Sequence, residues 1–198
     1  MFAYCNNNPV NGWDPDGDFY TPGQIHDFVL KDICERSPSK KYTDNYMRYT
    51  ETIFRKKFYT YGYCDLYDTV THEIWELKRI NSGATCKYIA ASIQLSFYVE
   101  KGEFVHRPDR GYYKGGTVST IEANVFMKPD NDGEGVYVIG YFDAGGGVLF
   151  YDYMYVPSLE EAAYAVLAVG GTIAIAASAP VLAGAAAGAL ASVAAAFA

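Results

Sequence analysis

The chain has 198 residues, 16% of them aromatic with 19 tyrosines, which supplies one sizeable core and argues against wholesale disorder. A formal net charge of −7 disfavours a broadly basic, polyanion-gripping surface, yet between Lys31 and Lys87 11 basic residues outnumber 8 acidic ones. The four cysteines, Cys5, Cys34, Cys64 and Cys86, have no CxxC spacing and no histidine at zinc-ligand intervals, which disfavours structural zinc; Cys64 and Cys86, beside apolar residues, read as packing thiols.

The N-terminus lacks the basic start and apolar run of a secretory signal. Met1 to Gly17, with Tyr4, Asn6-Asn7-Asn8-Pro9-Val10 and Asp14-Pro15-Asp16-Gly17, reads as turn-rich strand and loop. Thr21-Pro22-Gly23-Gln24 is a helix start: Thr21 caps, Pro22 takes the first helical position and Gln24 closes a capping box. The helix runs to about Glu35 with Ile25, Phe28, Val29 and Ile33 on its apolar face. Ser37 to Lys41 is a polar loop, and Tyr42 to Tyr49 fits no single period. Thr52 to Tyr63 is aromatic-rich and reads as a strand. Asp65 to Tyr67 and Glu73 to Ile80 form a hairpin-like pair about the turn Asp68-Thr69-Val70-Thr71-His72.

After Gly83, Thr85 to Val99 has helical spacing, with Ile89, Ile93 and Phe97 on one face. Thr117 to Phe126, Val136 to Phe142 and Val148 to Tyr155 read as strands separated by Asp/Asn/Gly turns. Ser158-Leu159-Glu160-Glu161 is a second capping box, launching a helix through about Ser178. Pro180 breaks it, and a further apolar stretch with Gly184-x-x-x-Gly188 runs to Ala198. From Ala162 onward no residue is charged. Each half falls slightly short of the roughly 20 helical residues that span a bilayer. The tail reads either as a membrane-inserting helical hairpin packed through small residues, the preferred reading, or as a segment buried or chaperoned during delivery. The order helix, strands, helix, strands makes a mixed α/β (α+β) core with an antiparallel strand extension and an apolar C-terminal helical tail.

Chemistry concentrates in the hairpin. Residues two apart on a strand share a face, so Glu76 and Lys78 project together while Trp75 and Leu77 point into the core. Pairing of the strands lets Asp65 approach Glu76. Two acidic oxygen donors beside one ammonium suit a divalent metal and a scissile phosphate. On the following helix Gln94 and Tyr98, four apart, align, and Lys87 and Ala91 extend that stripe. Glu73 reads as a surface acid flanking the turn, and Arg55-Lys56-Lys57 with Arg79 as solvated charges. His26 reads as a packing histidine more than a base.

Asp65, Glu76-x-Lys78 and Gln94-x-x-x-Tyr98, in this order, resemble the PD-(D/E)xK nuclease superfamily in its RecB-like branch, over about Gln24 to Tyr98. The departure is Cys64, where that family often has proline before the aspartate. The resemblance implies a restriction-endonuclease-like mixed sheet flanked by helices and a nuclease that uses Mg²⁺ or Mn²⁺ on DNA rather than RNA. Asp65, Glu76 and the Leu77 carbonyl would hold the metal, with Lys78 and Gln94 catalytic and Tyr98 and His26 accessory. The Tyr4 to Gly17 stretch is similar to the end of the core of Rhs/YD-repeat proteins, which precedes a variable toxin domain. That implies residues 1–20 as a carrier remnant, 21–157 as the toxin domain and 158–198 as the tail. It further implies a carrier shell, a cognate immunity protein and delivery as an effector into the cytoplasm of a target cell. The alternatives are a membrane-active toxin working through residues 162–198 and a catalytically dead nuclease fold used for binding.

Overall fold

The computed structural model describes residues 19–53, 56–80, 84–105, 111–133 and 135–178. Nearly all of the expected carrier remnant and the second apolar stretch of the tail lie outside these residues. Helix α1 (Pro22–Arg36) begins as its sequence dictates: the Gln24 N–H donates to Thr21 Oγ1, and the Gln24 amide oxygen accepts from the Thr21 N–H at 2.8 Å. It buries Ile25, Val29, Leu30 and Ile33.

Five strands follow: β1 (Lys40–Lys41), β2 (Tyr46–Ile53), β3 (Lys56–Tyr63), β4 (Leu66–Asp68) and β5 (Glu73–Arg79). Then come α2 (Ala84–Lys101), β6 (Gly102–Phe104), β7 (Tyr113–Lys114), β8 (Asn124–Pro129), β9 (Val136–Asp143), β10 (Val148–Val156) and α3 (Leu159–Ser178). The main sheet has the order β1-β4-β5-β10-β9-β8, with β7 also paired to β5. It is mixed: β5 runs parallel to β10, whereas β4–β5, β9–β10 and β8–β9 are antiparallel. The parallel pair needs a long crossover, and α2 lies within it. A separate small sheet has the order β3-β2-β6.

Strand alternation divides the core in two. On one face Trp75 and Leu77 of β5, Ile139 and Tyr141 of β9 and Leu149 and Tyr151 of β10 pack under α1. On the other, Ile74 and Ile80 join Val148 and Phe150 beneath Ala91, Leu95 and Tyr98 of α2 and Ala162, Ala165 and Val169 of α3. The sheet is therefore sandwiched, and β5 and β10 are buried on both faces.

Several expectations need correction. The strand anticipated over Thr52 to Tyr63 is two strands of a hairpin, β2 and β3. The strand anticipated from Thr117 starts at Asn124, because the buried Glu73 carboxylate captures the segment before it. Its Oε1 accepts from the Thr117 and Val118 N–H groups at 2.8 and 3.0 Å, and its Oε2 from Ser119 Oγ at 2.5 Å. Glu73 is thus an anchor inside the fold and not a surface acid. Helix α2 buries the Ala91, Leu95, Tyr98 stripe and leaves Ile89 and Ile93 about half exposed, since the small Ala91 admits close approach to the sheet. Cys64 is buried as expected, whereas Cys86 is exposed.

Helix α3 matches the anticipated start, with the Glu161 N–H donating to Ser158 Oγ at 3.3 Å. Its first three turns belong to the core of the fold. Among the described residues no helix is long and apolar enough to cross a membrane.

Candidate active site

The β4–β5 ladder pairs Leu66 with Trp75 and Tyr67 with Ile74 and stops there. Asp65, the next residue outward, replaces a ladder rung with its side chain: Oδ2 accepts the Leu77 N–H at 2.7 Å. Consecutive strand residues present their main-chain groups to opposite edges, and Glu76 gives its N–H to Gly147 on the β10 side at 2.9 Å. The Leu77 N–H and C=O are therefore both directed to the edge where Asp65 sits.

His26, from the first turns of α1, reaches the same carboxylate, with Nε2 3.4 Å from Asp65 Oδ1. Burial pulls the imidazole pKa down, but Asp65 and Asp27 outweigh it and leave the pKa above its ordinary value. The structure thus joins His26 to the site, where the sequence pattern gave it mainly a packing role.

Glu76 is only 3% exposed. Its Oε1 accepts from Lys78 Nζ at 2.5 Å. Its Oε2 is buried with no hydrogen-bond partner among the described residues. Burial first, and then the Asp65 charge, push this carboxyl up to about 7, against the opposing pull of Lys78 and His26. An orphaned carboxylate oxygen inside a protein costs roughly 1–3 kcal/mol or more, and such a cost persists where a proton or cation is meant to sit.

Gln94 and Tyr98 are joined differently. The Gln94 amide donates to Tyr98 Oη at 3.2 Å, and Tyr98 donates on to the Tyr63 carbonyl at 3.4 Å. A Cβ on Gly62 would lie 2.0 Å from that phenol oxygen, so glycine is required for the contact. This pair ties α2 to the chain two residues before Asp65; the Gln94 amide is directed at Tyr98 and not at the carboxylates.

Four further residues join the cluster. Lys87 donates to the Arg79 carbonyl at 3.2 Å. Burial and the charges of Arg79 and Lys78 hold its pKa below the ordinary lysine value. The Arg79 guanidinium lies 4.0 Å over the Tyr153 ring and pairs with Asp152 at 3.3 Å. Lys87 was visible as part of the Gln94–Tyr98 stripe. Asp152 and Tyr153 carried no signal, because only the β5–β10 pairing brings them in.

Among the described residues no three His, Cys, Asp or Glu side chains gather as a metal cluster. The oxygen donors at hand are the Asp65 and Glu76 carboxylates, close enough to interact electrostatically, and the Leu77 carbonyl, on the same strand edge as Asp65. That set fits a small hard cation, since Mg²⁺ keeps several waters and binds through one or two carboxylates. The unpartnered Glu76 oxygen is the observation that makes the fit. No family model, curated protein or solved structure matches the chain.

Proposed function

We propose that the chain is a divalent-metal-dependent nuclease built on a restriction-endonuclease-like arrangement, hydrolysing phosphodiester bonds of DNA in preference to RNA. The observation that carries this reading is Glu76: nearly fully buried, one oxygen unpaired, and next to both the Asp65 carboxylate and the Lys78 ammonium. A plain exposed hairpin would keep both acids in solvent. The order α1, β4, β5, α2 with helices on opposite faces of a mixed sheet supports the same reading.

Asp65, Glu76 and the Leu77 carbonyl would hold a Mg²⁺ or Mn²⁺ ion, which would supply Lewis acidity toward a phosphoryl oxygen and a more acidic water. The chain's own groups do the rest. Asp65 is fixed by its bond to the Leu77 N–H, so its second oxygen keeps a defined direction. Lys78, partly exposed at the strand edge, can leave Glu76 once that carboxylate is otherwise neutralised and donate to the charge growing on the phosphate. His26 holds a proton at Nε2 against Asp65 and orients it. Lys87 and Arg79 add positive charge beside the scissile group. The Gln94–Tyr98–Tyr63 chain sets the spacing between α2 and the strand that leads to Asp65. The Rhs-like sequence ahead of the domain supports delivery as a toxin with a cognate immunity protein.

The test is digestion of supercoiled plasmid, linear duplex and total RNA by the purified chain. Cleavage is expected with Mg²⁺ or Mn²⁺, absent with EDTA, and lost by about 10²-fold or more in Lys78→Ala and Asp65→Asn, on the scale of removing one transition-state donor. Cleavage that ignores both chelation and these substitutions would end the reading.

A further inference from the structure

We propose that β8 is the docking edge for a second copy of this chain. The two β8 strands pair antiparallel, join the main sheets into one, and bring the two α3 helices together over the seam. Nothing in this pairing depends on the nuclease reading.

The main sheet ends unequally. At one edge β1 has two residues, too short to recruit another strand. At the other edge β8 has six, and among the described residues it pairs with β9 alone. The register shows where its free groups point. Pro129 stands opposite Val136, and the next residue, Asp130, donates its N–H to the Gly135 carbonyl at 3.0 Å. Main-chain groups alternate along a strand, so Asn124, Phe126 and Lys128 bond toward β9. The N–H and C=O of Val125 and Met127 are directed outward, an open ladder for an added strand.

Side chains select the occupant. Above this edge a groove of about 570 Å³ is lined by Met127, Ala162, Ala163, Val166 and Leu167, none of them charged. It is half open, with Met127 51% and Leu167 73% exposed. The occupant must therefore carry an apolar helix face directly beside its own pairing strand, which is what this chain presents. Pairing about Phe126 sets Val125 opposite the copy's Met127, and Met127 opposite its Val125, each pair exchanging both main-chain bonds. The two-fold axis then stands perpendicular to the sheet. Both α3 helices lie on one face, and Met127 and Leu167 of the two copies close the shared groove.

The opposite face supplies a charge match. There the Lys128 ammonium lies 5.1 Å over the Phe28 ring and has no carboxylate partner among the described residues. The same register places Lys128 opposite the copy's Asn124, whose amide is bonded to Asp32 at 3.0 Å. Each ammonium thus meets an acid of the other copy, and symmetry repeats the contact. Lysine on an edge strand ordinarily blocks pairing; the facing position here carries its counter-charge. An unrelated strand would need both the apolar helix and the acid at these places, whereas a second copy brings both. Glu76 and Lys78 are on β5, separated from β8 by β10 and β9, so the pairing leaves them uncovered.

Sedimentation equilibrium of the full-length chain tests the pairing, with a dimer expected at a dissociation constant of about 10 μM or tighter. Leu167→Glu and Lys128→Glu should each weaken it roughly a hundredfold, because each buries unmatched charge at the seam. Leu167→Met, which keeps the apolar contact, should dimerise like the native chain. Adding Asn124→Lys to Lys128→Glu reverses the facing pair and should recover most of the lost affinity. Leu167 is largely exposed in one copy, so its substitution reads the contact and not the fold. A native chain that is monomeric at about 100 μM would overturn the proposal. A dimer indifferent to Leu167→Glu and Lys128→Glu, or a double variant that recovers nothing, would also overturn it. So would a monomeric native chain whose form ended at Ser178 dimerises, a result that assigns the groove to residues 179–198.

Discussion

In the nuclease reading, Glu76 sits where stability and chemistry pull in opposite directions. Unfolded, its carboxyl loses a proton near its ordinary value of 4.5; folded, it does so at about 7. Below pH 4.5 both states are protonated and the native state bears no penalty from this group. Between these values the unfolded chain ionises first, so the contribution of Glu76 to stability falls as pH rises, and it levels off above about 7. The loss is on the order of 3 kcal/mol, because each tenfold gain in proton affinity on folding is worth about 1.4 kcal/mol. Glu76→Gln has no ionisable group and should lack this decline, giving a chain as stable as or more stable than the native one at pH 8 yet without metal-dependent cleavage. Denaturant melts from pH 4.5 to 8 on both chains check it. Mg²⁺ should return stability to the native chain at pH 8 by favouring the ionised carboxylate, up to about 2.7 kcal/mol at a hundredfold excess over its dissociation constant. The Gln chain should show no such gain. Parallel pH profiles for the two chains would refute the assignment.

The turn between β4 and β5 aims both ends of the site, and Asp68 builds it. Its Oδ1 accepts the Val70 and Thr71 N–H groups at 2.8 and 3.0 Å, and its Oδ2 accepts Ser39 Oγ at 2.8 Å and Lys40 Nζ at 2.9 Å. Burial alone would raise this carboxyl, but these donors outweigh it and pull it down to about 2. Lys40 is equally enclosed, with its ammonium 5.0 Å over the Trp75 ring. Asp68→Asn keeps an acceptor for the turn but strands the buried ammonium, at an expected cost of about 3 kcal/mol. Adding Lys40→Met should recover much of it, because the apolar chain needs no counter-charge. Urea melts of the two variants check this; a double variant no better than the single would show that the turn, not the charge, was lost. The same elements mark how far sequence patterning reaches. The α1 cap, the β4–β5 pair and strands β9 and β10 were legible because local turn and capping residues write them. The β2–β3 hairpin was not, since Ile53 to Lys56 contains no Gly, Pro, Asn or Asp. Asp65, Glu76 and Lys78 could be read because one short hairpin brings them together. Arg79 with Asp152 could not, because 73 residues separate them and only the parallel pairing closes that distance.

For the molecule as a whole, the sandwiched sheet decides which parts are dispensable. Strands β9 and β10 are covered on one face by α1, and on the other α3 lays Ala162, Ala165 and Val169 over Val136, Val138 and Val156. The side of α3 away from the sheet is in solvent, with Tyr164 and Leu167 77% and 73% exposed. Removing residues 179–198 therefore leaves the described core contacts untouched, whereas ending the chain at Pro157 uncovers a sheet face. Burying one valine and two alanines contributes about 3 kcal/mol by transfer free energy. At roughly 2–4 °C per kcal/mol for a chain of this size, the shorter form should melt about 10 °C lower. The longer form should melt with the native chain and retain metal-dependent cleavage, because Glu76 and Lys78 lie on β5 and Asp65 directly precedes β4, beneath α1 and α2. A membrane-disrupting activity residing in the apolar tail would behave in the opposite way: truncation after Ser178 would abolish toxicity while leaving Lys78→Ala fully toxic. Thermal melts of the two truncations, run beside plasmid digestion and a toxicity assay of the same chains, decide between a tail that acts and a fold that cuts.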